Sequence, residues 1–531
     1  MTRQEAAELA TRSIDHLDQR LREHGRGILR IGRDAVTLIG VLRVHLIQFV
    51  ADVLQESPHA RSIPERAKDT FRLVTGSAKQ RVLNRAYVMR GFGAFSTLPR
   101  IHQASFRVLA LPRAEGHLRD MIPVSREAAE RHATAFAWMA FRPDHARAVY
   151  EVGGDVVLAG CYADPGAKRI ARCVEELAEA RDRLLPGPRP ILDPKLWTNV
   201  ADRVHAYLVR QLPYVLATVE AYTKAIAEVD PDVIFVGNPL TMEGTLGVAA
   251  GRAYGVAAAT MQHGDISPRQ TEWADAPPDL MTVWGARPKE ILVGLGFPNE
   301  QIQVTGAPWV DVLTPKNGAS KNRKKRILVA LSGAGHSIGI AEHEGHVRRL
   351  LEATRDLPQH DWLFRLHPKD QREIYERILS TIPGARATIV ESRHSKVDIH
   401  AQLEETDILI TVTSASAFDA MLHGVPVVTL ERPRGEGRST FVMAGATTDV
   451  PAGESLAEHI ARILADGQDS EVRRQAEAYV VSIFGPRDGR ATERVAAAIV
   501  DLARRRRTNV VECPPLSSGF IAQASRGSGC A

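Results

Sequence analysis

Pro231-Asp232-Val233-Ile234-Phe235-Val236-Gly237 is a short, continuous apolar run closed by turn residues, the pattern of a strand buried on both faces. Glu243 to Tyr254 follows as a helix of small residues, and Val256 to Met261 is the next apolar strand. Strand, helix and strand at this spacing form a βαβ unit, which packs as a right-handed crossover in a parallel sheet. The alternation continues in both directions. Phe106 to Leu111 and Asp155 to Ala159 are strands upstream, and a long helix runs through Trp197 to Val229. Asp279 to Trp284 and Gln303 to Gly306 are strands downstream.

Pro315 to Lys325 interrupts the pattern with Pro, Gly, Ser and the cluster Lys321, Arg323, Lys324, Lys325, and reads as an interdomain linker. The scheme then repeats. Strands are expected at Ile327 to Leu331, Trp362 to Leu366, Ala387 to Glu391, Asp407 to Val412 and Pro426 to Leu430. Helices are expected at His346 to Thr354, Ala415 to His423, Leu456 to Leu464, Val472 to Val481 and Thr492 to Arg505. Ahead of both regions, Val36, Ile39, Leu42, Leu46, Phe49, Val50 and Val53 recur at helical spacing. That stripe either packs on the next domain or lies on a membrane face. The expected organisation is a helical region at 1–98, a Rossmann-like domain at 99–314, a basic linker at 315–326, a second Rossmann-like domain at 327–507, and a disordered tail at 508–531.

A chain of 531 residues suits two or three domains, and its 44% hydrophobic and 25% charged content is that of a globular protein. The net charge of +5 accords with anionic substrates or an anionic surface and is too weak to argue for nucleic acid. The four cysteines form no CxxC pair, so neither a disulfide framework nor a zinc ribbon is indicated. The first residues carry no secretory apolar core, and Ala35 to Leu54 is interrupted by Arg43, His45 and Asp52. A cytoplasmic location is therefore expected, with peripheral contact at anionic lipid through Arg504-Arg505-Arg506-Arg507 as one use of that run and a solvated helix end as the other.

The chemistry-bearing residues gather at strand ends, where open α/β sheets bind ligands. His263 follows strand Val256 to Met261. It is either a general base, since imidazole titrates near neutral pH, or a buried ring satisfied by backbone. Glu243 is a second base candidate or a carboxylate complementing its helix N-terminus, and Asp265 orients His263 or caps a turn. In the second domain Arg365, His367 and Lys369 cluster at one strand end, suited to an anionic leaving group. Thr413, Ser414 and Ser416 end another strand and open a helix, as phosphate ligands or as plain caps, with Asp419 one turn in. Ser332 and Gly333 make a third turn that lets backbone approach a ligand. His343-Glu344-Gly345-His346 has the wrong spacing for a zinc helix, and no carboxylate cluster suggests magnesium, so no metal is expected.

In this order, Gln262-His263-Gly264, Val304-Thr305-Gly306-Ala307-Pro308, Arg365-Leu366-His367-Pro368, and Thr413-Ser414-Ala415-Ser416 with Asp419 and Gly424-Val425-Pro426 resemble glycosyltransferases of the GT-B fold. More narrowly they resemble bacterial surface-polysaccharide enzymes, including CDP-glycerol glycerophosphotransferases, capsule-polysaccharide transferases and polysialyltransferases. The resemblance covers about residues 230–432. It implies an α/β protein of two Rossmann-like domains facing a cleft, with the helical N-terminal region added. It implies that His367, Ser414 and Ser416 bind the donor's nucleotide phosphate, that Asp419 binds the ribose, and that His263 is the base on an acceptor hydroxyl. The implied reaction is metal-independent transfer of a sugar or polyol-phosphate to a glycan or lipid-linked acceptor. It needs no cofactor beyond the nucleotide-activated donor, CMP- or CDP-linked first and UDP-linked second. Two rivals are a UDP-sugar 2-epimerase, expected to carry carboxylates where this chain has Asn238 and His263-Gly264, and a non-catalytic scaffold.

Overall fold

Val233–Val236 forms a strand whose four residues are all buried, hydrogen-bonded on both sides to parallel neighbours, as its unbroken apolar run requires. The structure, a computed structural model, describes residues 3–23, 28–31, 34–55, 98–140, 143–151, 154–158, 167–184, 194–264, 266, 268, 271–274, 277–311, 313, 323–332, 339–367, 370–391, 398–431 and 439–509. They fall into two units, residues 1–308 with 488–531, and residues 309–487.

In the first unit, α1 (Arg3–Glu23) and α2 (Leu38–Gln55) flank an antiparallel hairpin of β1 (Ile28–Ile31) and β2 (Asp34–Thr37). The N-terminal region is thus not wholly helical as expected; Ile28–Ile31 pairs with Asp34–Thr37, so Val36, the first residue of the expected helical stripe, lies in a strand. The sheet proper contains β3 (Phe106–Leu111), β4 (Thr134–Ala140), β5 (Asp155–Leu158), β6 (Val233–Val236), β7 (Ala257–Met261), β8 (Leu280–Val283) and β9 (Ile302–Val304). All its pairings are parallel, in the order β5-β4-β3-β6-β7-β8-β9. The chain walks outward from β3 to β5, then returns to β6 and walks the other way. The switch point therefore lies between β3 and β6, where Val108 is in register with Val233. Helices α3 (Glu115–His132), α4 (Pro194–Val229) and α5 (Met242–Ala253) carry the site residues of this unit. Helix α5 starts at Thr241, whose Oγ1 accepts from Gly244 N at 3.2 Å, and Gly244 is obligatory because a Cβ there would lie 1.8 Å from the Asn238 carbonyl oxygen.

The apolar stripe of α2 is core. Leu38, Ile39, Leu42, Leu46, Ile47 and Val50 pack with Val204, Leu208, Leu212 and Val215 of α4, each large side chain contributing roughly 1.5–3 kcal/mol. Among the described residues no helix is long and apolar enough to cross a membrane.

The second unit holds β10 (Arg326–Val329), β11 (Asp361–Leu366), β12 (Thr388–Glu391), β13 (Ile408–Thr411), β14 (Val427–Leu430) and β15 (Thr448–Val450). They form an all-parallel sheet ordered β12-β11-β10-β13-β14-β15, the Rossmann order, with its switch point between β10 and β13. Strand β15, like β4, was not expected from the sequence. Helices α6 (Ile340–Asp356), α7 (Arg372–Leu379) and α8 (Ser416–Leu422) follow β10, β11 and β13.

The last helix, Ala491–Asn509, was expected in the second domain and instead belongs to the first unit. Val495, Ile499, Val500 and Ala503 share a core with Val108, Leu118, Met121 and Phe235. Its basic end is tied down as well. Arg507 binds Asp232, beside the start of β6, with Nε and Nη2 both at 2.7 Å, and Arg506 Nε donates to the Gly255 carbonyl at 2.7 Å. Two arginines of the expected lipid-facing run are therefore engaged by protein. Residues 314–322, most of the expected linker, and 510–531, most of the expected tail, lie outside the described residues.

Candidate functional site

At the switch point of the first sheet, the segment after β3 supplies Arg113 and His117, the segment after β6 supplies Asn238, and the segment after β7 supplies His263. His117 Nδ1 accepts from the backbone N–H of Arg113 at 3.0 Å and Ala114 at 3.3 Å, which leaves the ring proton on Nε2. Burial, then the neighbouring His263, Arg113 and His145, hold its pKa down to about 3, so the ring is a neutral donor at every ordinary pH. The ring fits because residue 237 is glycine: a Cβ there would sit 2.5 Å from Nδ1. His117 meets the His263 ring edge to face at 4.6 Å between centroids.

Asn238 fixes the polarity of His263. Its Oδ1 accepts from Leu240 N at 2.9 Å, so its amide nitrogen must be the atom 3.1 Å from His263 Nε2. Nε2 therefore carries a lone pair and Nδ1 the proton. Burial lowers the His263 pKa, with the Met261 carbonyl pulling the other way. Glu243 is engaged elsewhere. It is 6% exposed, its Oε1 accepts from Arg113 Nε and from the Tyr214 hydroxyl, each at 2.9 Å, and its backbone carbonyl accepts from Tyr222. Glu243 lies in the first turn of α5, as the helix-complement reading expected, and it also anchors Arg113.

At the switch point of the second sheet, Ser332 after β10 and Thr413 after β13 share a hydrogen bond of 2.7 Å between hydroxyls. Ser414 Oγ donates to Ser416 Oγ at 3.2 Å and accepts from Ser416 N at 3.3 Å. The N–H groups of Ser414, Ala417 and Phe418 are bonded within the same segment. The start of α8 is thus largely self-capped, and the hydroxyls of Ser332, Thr413, Ser414 and Ser416 are the polar groups gathered there. On the neighbouring strand, Arg365 Nη1 donates to Gln402 Oε1 at 2.9 Å, and burial, with Asp398 nearby, raises the Asp419 carboxyl against the pull of His400 and Arg365. His367 directly follows β11, and its N–H donates to Asp370 Oδ2 at 3.3 Å. Gly333, Lys369 and Asp265 lie outside the described residues.

The structure places Ser332 and Thr413 within one hydrogen bond and Ser414 beside Ser416, while the sequence reading named Asn238 only as an epimerase's carboxylate position and did not name His117 or Tyr214. His117 lies six residues past its strand, too far for a search of immediate strand ends; the signal available was Gly237, a glycine closing a buried strand. Among the described residues no group of three or more His, Cys, Asp or Glu is placed to hold a metal ion.

Two Rossmann-like units, each with polar side chains at its sheet's switch point, give the α/β build of GT-B enzymes. The sequence pattern of the UDP-N-acetylglucosamine 2-epimerase family matches residues 215–500, and the chain belongs to that family. Similar solved structures include the UDP-GlcNAc 2-epimerase of Neisseria meningitidis bound to UDP-GlcNAc, at 14% identity, 75% of this chain, 100% of that one and a TM-score of 0.46. A putative UDP-N-acetylglucosamine 2-epimerase of Listeria monocytogenes gives 17%, 76%, 98% and 0.47. A calicheamicin glycosyltransferase gives 14%, 77%, 99% and 0.43. No curated protein sequence matches the chain. The family is thus the one the sequence reading had ranked as a rival to the polysaccharide transferases.

Proposed function

We propose that this protein is a metal-independent transferase that moves a sugar from a uridine diphosphate donor to a hydroxyl group, with His263 as the base. The uridine nucleotide takes precedence over the cytidine donors expected from the sequence because of the family match over residues 215–500. One observation carries the choice of transfer over C2 epimerisation: the ring beside Asn238 is a neutral imidazole with its lone pair at Nε2, and the carboxylate nearest in kind, Glu243, is bound to Arg113 and Tyr214. A hydroxyl proton is acidic enough, as its oxygen attacks, for an imidazole to take. A sugar C2–H is far less acidic, and the Glu243 carboxylate, held by Arg113 and Tyr214, is committed to those partners.

In the proposed step the acceptor O–H replaces the Asn238 N–H at His263 Nε2. The acceptor oxygen bonds to the anomeric carbon as the bond from that carbon to the diphosphate breaks, and the proton passes to Nε2. Preorganised donors act most strongly where charge grows on a leaving group, and in the second unit the hydroxyls of Ser332, Thr413, Ser414 and Ser416, with Arg365 and His367, are the candidates to hold the donor's diphosphate. Single displacement inverts the anomeric carbon. The acceptor class is a surface glycan or a lipid-linked sugar.

The second reading is 2-epimerisation, favoured by the family to which the chain belongs. Incubation with UDP-GlcNAc in D2O separates the two. Transfer predicts UDP release only when a hydroxyl acceptor is added and no deuterium at C2; deuterium at C2 without acceptor, with interconversion of the sugar, overturns the proposal. Within the transferase reading, His367→Ala is expected to weaken UDP binding at least tenfold, while His263→Ala keeps UDP binding and loses about 10²–10⁴-fold in turnover.

A further inference from the structure

Beneath the end of β11 lies a buried polar chain that the mechanism above does not use. His343 of α6 is 0% exposed and Tyr375 of α7 is 2% exposed, and the Asp370 side chain is likewise 0% exposed. Asp370 Oδ2 accepts from the Tyr375 hydroxyl at 3.0 Å and from the His367 N–H at 3.3 Å, while Asp370 N donates to the His367 carbonyl at 2.9 Å. The Tyr375 oxygen is 3.1 Å from His343 Nε2. A phenol has one proton, and Tyr375 spends it on Asp370; His343 Nε2 must therefore donate to the phenol oxygen. The polarity of the whole chain follows: His343 N–H to Tyr375 O–H to Asp370 carboxylate, which receives the His367 N–H.

His343 itself is fully buried. Burial lowers its pKa, while Asp370 and the Ser332 backbone favour its charged form. Polar groups this deep are costly unless paired, and the bonds among His343 Nε2, the Tyr375 hydroxyl, Asp370 Oδ2 and the His367 N–H hold those groups to one geometry, with His343 Nδ1 left outside the chain. Tyr375 packs edge-on against both His343 and Phe364, which leaves its hydroxyl little room to swing.

We infer that Asp370, held by Tyr375 and His343, is a positioning residue that fixes the backbone of His367 and so aims its imidazole at the diphosphate of the donor. Asp370 touches no ligand in this assignment; it acts through His367. The inference rests on the proposed function only for what His367 faces, not for what holds it.

The test uses the full chain with isotopically labelled histidine and the variant Tyr375→Phe, which keeps the ring and removes the hydroxyl. Thr354→Val serves as comparison: it removes a buried hydrogen bond of the same unit, from Arg386 N to Thr354 Oγ1 at 3.1 Å, away from β11. In Tyr375→Phe the His367 ring signals are expected to move or broaden, the His367 amide to exchange with solvent at least tenfold faster, and UDP affinity to fall about tenfold. Thr354→Val is expected to lower the melting temperature similarly while leaving all three unchanged. His367 ring and amide signals identical to wild type in Tyr375→Phe overturn the inference, as does equal loss of UDP affinity in both variants. Asp370→Asn gives the same readout should Tyr375→Phe fail to fold. A wild-type protein that binds no UDP refutes the proposed function, while the His367 signals still decide the positioning role.

Discussion

Replacing Asn238 by Asp should invert the protonation preference of His263. In the native pair the Asn238 amide donates to Nε2 at 3.1 Å, so a proton arriving at Nε2 must break that contact. Aspartate is nearly isosteric. One oxygen keeps the Leu240 N–H, now 2.9 Å from Oδ1, and the other faces Nε2 in place of the amide. At 3.1 Å the gross attraction between a carboxylate and an imidazolium is about 5 kcal/mol at an effective dielectric constant of about 20. Desolvating the new carboxylate cancels part of that, and contacts of this kind shift pKa values by about 1–3 units, or about 1.4–4 kcal/mol. His263 starts below its ordinary value through burial and is expected to end above it. The linkage sign follows. In the native protein the lowered pKa makes this site lose stability as pH falls below the unfolded value of about 6.5. In Asn238→Asp the raised pKa gives stability that is full below that value and lost as pH rises through the folded pKa. The stability of the variant relative to wild type should therefore grow as pH falls from about 7.5 to about 5. Histidine-resolved NMR titration and urea melts across that range measure both quantities. If His263 titrates no higher in the variant, residue 238 does not face Nε2 and the tautomer derived from that contact fails.

Gly237→Ala places a Cβ 2.5 Å from His117 Nδ1 and 2.8 Å from Cγ, so the ring must move; a loss of about 1–3 kcal/mol in urea unfolding is expected, with altered His263 signals. His117 should show the Nε2–H tautomer by ¹⁵N shifts and no titration between pH 5 and 8; because its pKa is lowered to about 3, the native state should lose stability at this site as pH falls from about 6.5 toward that value. Arg507→Ala removes the two guanidinium bonds to Asp232, which is 4% exposed and keeps the Arg107 N–H at 2.9 Å, and should destabilise the first unit by about 1–3 kcal/mol, at the lower end because the Arg507 side chain is 45% exposed. Arg504→Ala, whose partner Asp501 is exposed, should change stability by less than about 0.5 kcal/mol in the same melts.

Strands buried on both faces are legible where the apolar run is unbroken and β-branched, as at Val233 to Val236 and Ile408 to Ile410; Thr134–Ala140 is as deeply buried, but its alanines and Met139 carry no such β-strand mark and it went unread. His263, His367, Ser332 and Thr413 were legible next, since each stands within two residues of such a run. What local sequence fixes is a side chain's distance along the chain from an element of known kind. Its partners are a different matter. His117 meets His263, Asn238 polarises it, and His343 meets the Tyr375 hydroxyl only because β3, β6 and β7, or α6 and α7, are brought side by side by packing. The last helix makes the same point. Its alanines and valines specify a face to be buried, and nothing in them says which sheet will bury it; Asp232, an aspartate at a strand's start, becomes the seat of Arg507 only once the fold has closed. Periodicity and apolar runs are properties of neighbours in the chain, so the sequence alone determined the elements. Hydrogen-bond polarity, ring tautomer and the choice between two sheets are properties of neighbours in space, and only the tertiary structure decided them.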